Sequence, residues 1–202
     1  QLKAIGISDA YVITEPEAKN TAAACISVAL FLKKQVGNVP MLFTPADHAV
    51  ENDSPLHTVL KETLPFIEKG AVCVFGIPPN RPHTGYGYIL RGEQLTDHVY
   101  KVASFAEKPN EQGAINLISQ GALWNMGLYA VTTEALLQEA ETHIPSLVRD
   151  LKEVSALKKD PTHNHYMIPG DLYKNITSIS IDNAIAEKSK HMITAETNIV
   201  WN

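Results

Sequence analysis

Four short stretches of this chain pair side chains that can do chemistry with backbone that can expose them. TPADH at 44–48 follows the apolar run VPMLF directly. Ligands of open α/β sheets collect outside the carboxyl ends of the strands, where loop residues reach them without disturbing the ladder. Asp47 therefore stands where a carboxylate can hold a hard cation such as Mg²⁺. The competing reading is a turn cap, because Pro-X-Asp is common in turns. GYGY at 85–88 offers glycines that tolerate unusual backbone angles and close ligand approach, with Tyr86 able to cover a sugar or base face. It is not a dinucleotide fingerprint, it lacks the lysine of a phosphate-binding loop, and a plain hairpin bend is its alternative. EKP at 107–109 sets an acid beside a base at a strand end that Pro109 stops. Glu107 suits sugar hydroxyls and Lys108 suits a phosphate, against the alternative of a solvated surface pair. WNMG at 124–127 presents Asn125, whose amide both donates and accepts, beside a permissive Gly127; a structural Asn satisfying a turn is the other possibility.

The remaining polar residues carry less. His163 and His165 in THNHY lie in a polar loop with no further ligands near in sequence, and His48, His83 and His143 have nothing beside them in sequence that makes them bases. There is no nucleophile elbow, no HExxH and no CxxC, so covalent acyl transfer and zinc hydrolysis have little support.

These stretches need a scaffold, and the apolar pattern outlines one. AYVITE at 10–15 has strand character and ends at Pro16. Asn20 can cap a helix through TAAACISVALFLKK, which is apolar on nearly every side and so belongs against a sheet. Residues 39–44 read as a buried strand. Ser54 and Pro55 start a helix that runs to Gly70, with a kink or break expected at Pro65. AVCVFGI at 71–77 is another buried strand. Beyond the Gly- and Pro-rich loop from Pro78 to Gly92, a strand is expected at 99–107. A helix capped by Asn110 follows, then the strand LWNMGLYAV, then helices at 133–141 and 145–154. Residues 155–175 read as polar surface, before a last helix near 181–189 and a closing strand through ITAETNIVW. Strand, helix, strand, helix, strand predicts an α/β fold with a mostly parallel central sheet.

Composition bounds the function. A chain of 202 residues with 45% apolar content supports one substantial core, and one domain is the default. Seventeen basic against twenty-two acidic residues give a formal charge of -5 with no dense Lys/Arg block, which argues against nucleic acid but not against a small anionic substrate. The longest apolar stretch, from Ala22 to Leu32, is too short to span a bilayer, and no leader pattern opens the chain; no membrane partner and a cytoplasmic location are expected. Cys25 and Cys73 sit inside apolar segments as small hydrophobes.

Taken in order, EPEAKNTAAA at 15–24, TPADH at 44–48, FGIPPNRPHTGYGYI at 75–89, SFAEKP at 104–109, GALWNMGLY at 121–129 and SIDNAIAEKS at 180–189 resemble the mannose-1-phosphate guanylyltransferase (GDP-mannose pyrophosphorylase) family of sugar nucleotidyltransferases. The resemblance implies a Rossmann-like nucleotidyltransferase three-layer sandwich and Mg²⁺-dependent transfer of a guanylyl group from GTP to mannose 1-phosphate, giving GDP-mannose and pyrophosphate. It also implies roles. Asp47 would hold the metal and, with Lys108 near the sugar phosphate, form the catalytic pair. Pro45 and Ala46 would shape the floor beside the nucleotide, with Glu15, Asn20 and Thr21 near guanine and ribose. Gly85 and Tyr86 would lie over the sugar, whose hydroxyls Glu107 and Asn125 would read.

The family also has a first strand with a glycine-rich, Arg-bearing loop, and a second metal aspartate in a Trp-X-Asp-X-Gly stretch. Neither is found between Gln1 and Asn202, so residues 1–202 are expected to be a partial catalytic domain, incomplete at both ends, with little or no transferase activity alone. The uncovered sheet edge invites a homodimer. Some members carry a C-terminal isomerase domain. Another sugar-1-phosphate nucleotidyltransferase, or a non-catalytic nucleotide-sugar-binding regulatory domain on the same fold, is the alternative.

Overall fold

The computed structural model describes residues 4, 6, 7, 10–48, 50, 52–154, 158, 159 and 165–200, with no side-chain description at 153, 154, 158, 159 or 172. In chain order the elements are β1 (Val12–Thr14), α1 (Asn20–Gln35), β2 (Pro40–Phe43), α2 (Ser54–Ile67), β3 (Val72–Ile77), β4 (Tyr88–Gln94), β5 (Val99–Ala106), α3 (Glu111–Ser119) and β6 (Leu123–Thr132). After them come α4 (Thr133–His143), α5 (Pro145–Val154), β7 (Lys158–Lys159), β8 (His165–Met167), α6 (Gly170–Tyr173), a π-helical turn (Asp182–Ala186) and β9 (Met192–Glu196).

Three layers form because the buried strands are apolar on both faces and alternate which face each side chain serves. On β3, Val72 and Val74 join the core built by Ala22, Ala23 and Ile26 of α1 and Leu136 and Ala140 of α4, while Cys73 and Phe75 join the opposite core with Leu56, Val59 and Ile67 of α2. On β6, Tyr129 and Val131 face the first core, and Met126, Leu128 and Ala130 face the second. The sandwich of helices on both sides of one sheet is as expected.

The strand directions differ from the expectation of a mostly parallel sheet. Among the described residues the large sheet has six strands in the order β2-β6-β3-β9-β5-β4, with β6 also touching β4. Only β3 and β9 are parallel neighbours; every other pairing in that sheet is antiparallel. The alternation of strands and helices does carry β2, β3 and β9 in one direction, as crossovers require. Strand β6 then enters reversed between β2 and β3, and β5 reversed between β9 and β4, so that neighbours oppose.

Further local expectations change. The first predicted strand is short and leaves the large sheet: β1 pairs in parallel with β8, which pairs with β7. The stretch read as polar surface thus contributes two short strands, and Ile168 and Tyr173 beyond them are buried. Helix α2 passes through Pro65 to Ile67, because a proline so near the last turn leaves little helix beyond it to disrupt. Asn20 is the first residue of α1 at φ 64 and accepts the adjacent Thr21 N–H, at 2.9 Å, which does not cap the helix, whereas Asn110 caps α3 as predicted by accepting Gly113 N–H at 2.8 Å. Asp182–Ala186 forms a π turn where a last helix near 181–189 was expected, and the closing strand is Met192–Glu196. Among the described residues no helix is long and apolar enough to cross a membrane.

Both cysteines are buried free thiols. Burial first, then the charges of Asp182 and Glu15, push the Cys25 thiol from its ordinary 9.0 up to about 12, and burial also raises Cys73. A folded value above the unfolded one gives stability that is whole below the unfolded value and is lost as pH rises toward the folded one. Stability in urea should therefore decline as pH passes above 9.0, where the thiols of the unfolded chain ionise first. At about pH 8 iodoacetamide should leave both thiols unmodified until urea is added; rapid labelling of the folded protein would show that the cores around them open readily.

Candidate functional site

The site is organised by an irregularity in β6. Between the pairs Val74↔Tyr129 and Gly76↔Asn125, β3 advances two residues while β6 advances four, a bulge that bends the strand and re-aims its side chains. Gly127 lies inside it at φ +71, a left-handed conformation that suits glycine. A side chain at Gly127 would meet Pro45 Cγ at 3.6 Å and His48 Cε1 at 3.9 Å, so the bulge abuts the TPADH loop that follows β2.

Asn125 emerges from the bulge almost buried, 8% exposed. Its Oδ1 accepts Gly127 N–H at 3.1 Å, its Nδ2 donates to Asp182 Oδ1 at 2.8 Å, and its own N–H donates to Gly87 O at 2.8 Å. Tyr129 OH donates to the same Asp182 oxygen at 2.7 Å; burial, chiefly, and then the Asp182 charge hold this phenol well above its usual range.

Gly87 lets the GYGY loop close on the site: a Cβ there would lie 2.8 Å from Glu107 Oε2 and 3.2 Å from Asn125 Cβ. Glu107 accepts from Lys108 Nζ at 2.5 Å, with Lys108 at φ 45, and Glu107 N–H donates to Glu187 Oε1 at 3.1 Å. The hydrogen bond it donates to Glu107 first, then the Glu107 and Asp182 charges, raise the Lys108 ammonium, while partial burial opposes them. The acid and base of EKP thus reach one place because the strand ends there, as the sequence required.

The sequence-predicted residues divide. Glu107, Lys108 and Asn125 converge beside Gly87, a residue of the GYGY stretch not itself assigned a role, with Pro45 at the edge of the bulge. Tyr86 stacks on His83 at 4.1 Å and meets Trp124 edge-on at 5.2 Å, so its ring packs beside Asn125's neighbour, and Gly85 N–H donates to His83 Nδ1 at 3.0 Å. Thr21 Oγ1 accepts Ile181 N–H at 2.9 Å, which ties the start of α1 to the residue before Asp182; Asn20 turns the chain into that helix. Glu15 accepts from Tyr173 OH, and its charge acts on Cys25 together with that of Asp182. Ala46 is exposed on the loop, and Asp47 has its side chain 91% exposed, 4.0 Å from His48 Nε2. His165 Nε2 shares a hydrogen bond with Thr14 Oγ1, while His163 lies outside the described residues.

Among the described residues no group of three or more His, Cys, Asp or Glu is arranged to hold a metal. One open carboxylate still suits Mg²⁺, which binds through one or two carboxylates plus substrate phosphates and keeps water, without a cage of protein ligands. Three residues that sequence reasoning missed complete the polar floor: Tyr129, Asp182 and Glu187. The block SIDNAIAEKS held the last two, but their partners lie far away along the chain, so spacing carried no signal.

The sequence model of the nucleotidyl transferase family matches residues 2–169. The chain belongs to that family. This nucleotidyl transferase chain is 36% identical over 210 residues to a mannose-1-phosphate guanylyltransferase of Escherichia coli, an alignment covering 100% of this chain and 45% of that protein. A protein of the same name from Klebsiella pneumoniae is 30% identical, covering 100% and 44%. The chain therefore spans less than half the length of these curated relatives. Among solved structures, the Helicobacter pylori protein described as mannose-6-phosphate isomerase superposes with a TM-score of 0.85 at 25% identity, covering 94% of this chain and 73% of that one. A Thermus thermophilus protein described as mannose-1-phosphate geranyltransferase does so at 0.78 and 29% identity, covering 93% and 52%.

In Glu107→Gln the Lys108 ammonium loses its strongest partner. Its pKa should fall back toward the ordinary 10.5, measured by NMR titration of the lysine side chains; an unchanged value would mean that the pair does not persist in solution.

Proposed function

We propose that residues 1–202 form part of a nucleotidyltransferase catalytic domain that joins a guanylyl group from GTP to mannose 1-phosphate, releasing pyrophosphate and forming GDP-mannose. The observation that carries this reading is the convergence of Gly87, Glu107, Lys108 and Asn125, drawn from three separated strand ends, on one polar floor beside the TPADH loop. The likeness to proteins named mannose-1-phosphate guanylyltransferase supports the choice of base and hexose.

In the proposed reaction a phosphate oxygen of the sugar phosphate forms a bond to the α-phosphorus of GTP as the bond from that phosphorus to the bridging oxygen of pyrophosphate breaks. A phosphate monoester is already an anion at neutral pH, so no deep general base is needed. The protein's task is to align two charged substrates and offset their repulsion. Glu107 and the Asn125 amide would hold sugar hydroxyls, and Lys108, kept protonated by Glu107, would face the phosphate. Gly85 and Tyr86 would lie over the sugar. Glu15, Asn20 and Thr21 would lie on the nucleotide side, beside Pro45 and Ala46. Asp47 would hold Mg²⁺, which when bound neutralises charge on the α-phosphate. A cytoplasmic location agrees with water-soluble substrates of this kind.

Calorimetric titration of GDP-mannose into this chain, with and without Mg²⁺, tests the reading against Asp47→Ala. Affinity should fall about tenfold or more on removing either the metal or the carboxylate, as expected for a charge-assisted contact. Removing both should cost no more than removing one. Tight binding indifferent to both would favour a nucleotide-sugar-binding regulatory domain, and stronger binding of a nucleotide sugar with another base or hexose would overturn the assigned substrates.

A further inference from the structure

The π turn at Asp182–Ala186 lies in contact with the site, yet none of the roles assigned above uses it. Its signature is the hydrogen bond from Glu187 N–H to Asp182 O at 3.0 Å, five residues back. That bond sets two carboxylates, Asp182 and Glu187, one wide turn apart. Asp182 Oδ1 takes both the Asn125 amide and the Tyr129 hydroxyl. Glu187 Oε1 takes the Glu107 N–H, and its Oε2 takes Asn183 Nδ2 at 3.0 Å. In an α-helical turn the residue bonded back to Asp182 would be Ala186, which has no carboxylate to offer the strand end at Glu107.

We infer that the Asp182–Glu187 turn positions the ligand-reading groups, with Asp182 locking the Asn125 amide in one orientation and Glu187 anchoring the backbone of Glu107. The orientation of Asn125 is doubly determined. Rotating its amide by half a turn would oppose a carbonyl oxygen to the Asp182 carboxylate and an NH₂ group to Gly127 N–H, losing both bonds. One amide N–H is thus spent on Asp182, and the second remains as the donor offered to a ligand oxygen. The turn is itself held from the other side: Ile181 N–H donates to Thr21 Oγ1, Ala22 N–H donates to Ile179 O at 3.2 Å, and Asn183 N–H donates to Ser180 Oγ at 3.1 Å. The start of α1, the π turn and the two strand ends are therefore one hydrogen-bonded frame. Asp182 acts through Asn125 as a positioning residue.

This inference rests on the proposed sugar-nucleotide reading for its ligand, so its test has one arm that needs no ligand. In the 202-residue chain, the side-chain amide protons of Asn125, assigned in nitrogen–proton NMR spectra by their loss in Asn125→Ala, should exchange slowly with water. Their exchange should quicken about tenfold or more in Asp182→Ala and be largely restored in Asp182→Asn, whose remaining oxygen still accepts. In calorimetry with GDP-mannose and Mg²⁺, Asp182→Ala should weaken binding about tenfold, Asp182→Asn should recover most of it, and Asp182→Ala should add less than about twofold in the Asn125→Ala background. Unchanged amide exchange in Asp182→Ala overturns the inference, as do additive losses in the double variant. Should Asp182→Ala not fold, Tyr129→Phe, which leaves the Asp182–Asn125 bond in place, and Asp182→Asn must both keep the slow exchange for the inference to stand. Slow exchange with no GDP-mannose binding by the wild-type chain would uphold the positioning role and sink the substrate assignment.

Discussion

Strand β6 is the constraint on which the rest of the molecule depends. It runs between β2 and β3, touches β4, and supplies buried side chains to both helical layers, so no neighbour can shift without breaking its ladder. A strand buried on both faces has no tolerance for a slip in register, because a shift of one residue would exchange every side chain between the two cores. The bulge at Gly127 is the one place where this rigidity is relieved. It turns the strand enough to bring Asn125 and Tyr129 to one carboxylate while the rest of β6 stays in register.

The floor that results is polar, partly buried and dense in hydrogen bonds, which is costly unless each group is satisfied. Here the partners come from distant parts of the chain: Asp182 reaches Asn125 across 57 positions, and Glu187 reaches Glu107 across 80. Lys108 offsets part of the floor's negative charge, since it faces Glu107 directly and Asp182 at longer range. A site with amides, a lysine and carboxylates held in this way is suited to ordering hydroxyls and phosphates. It is poorly suited to covalent catalysis, for which no activated nucleophile is present among its residues: Cys25, whose thiol feels the Asp182 charge, is buried and its pKa is raised.

Much of the scaffold was legible along the chain. The helices α1 to α5 and the buried strands β3 and β6 follow from apolar spacing and from caps such as Asn110, since those signals are local. EKP and WNMG stood out because acid, base and amide types appear beside chain-stopping or permissive residues. What the chain could not disclose was adjacency. Alternating strands and helices imply a common direction for β2, β3 and β9, but nothing local says that β6 will be inserted between two of them. Nor does AYVITE announce that its strand will pair with His165–Met167 away from the large sheet.

The sequence by itself determined most of the segments that are helix or strand, which residue types could meet sugar and phosphate, and, through six ordered blocks, the kind of family they resemble. These depend on short-range periodicity and side-chain chemistry. Only the tertiary structure decided strand neighbours and directions, the two-residue excess in β6, and the selection of Asp182 and Glu187 as partners of Asn125 and Glu107, with Tyr129 on the same Asp182 carboxylate. The physical reason is that hydrogen-bond partners across a sheet are set by register and by the burial of both faces at once, and these quantities exist only once the chain has closed on itself.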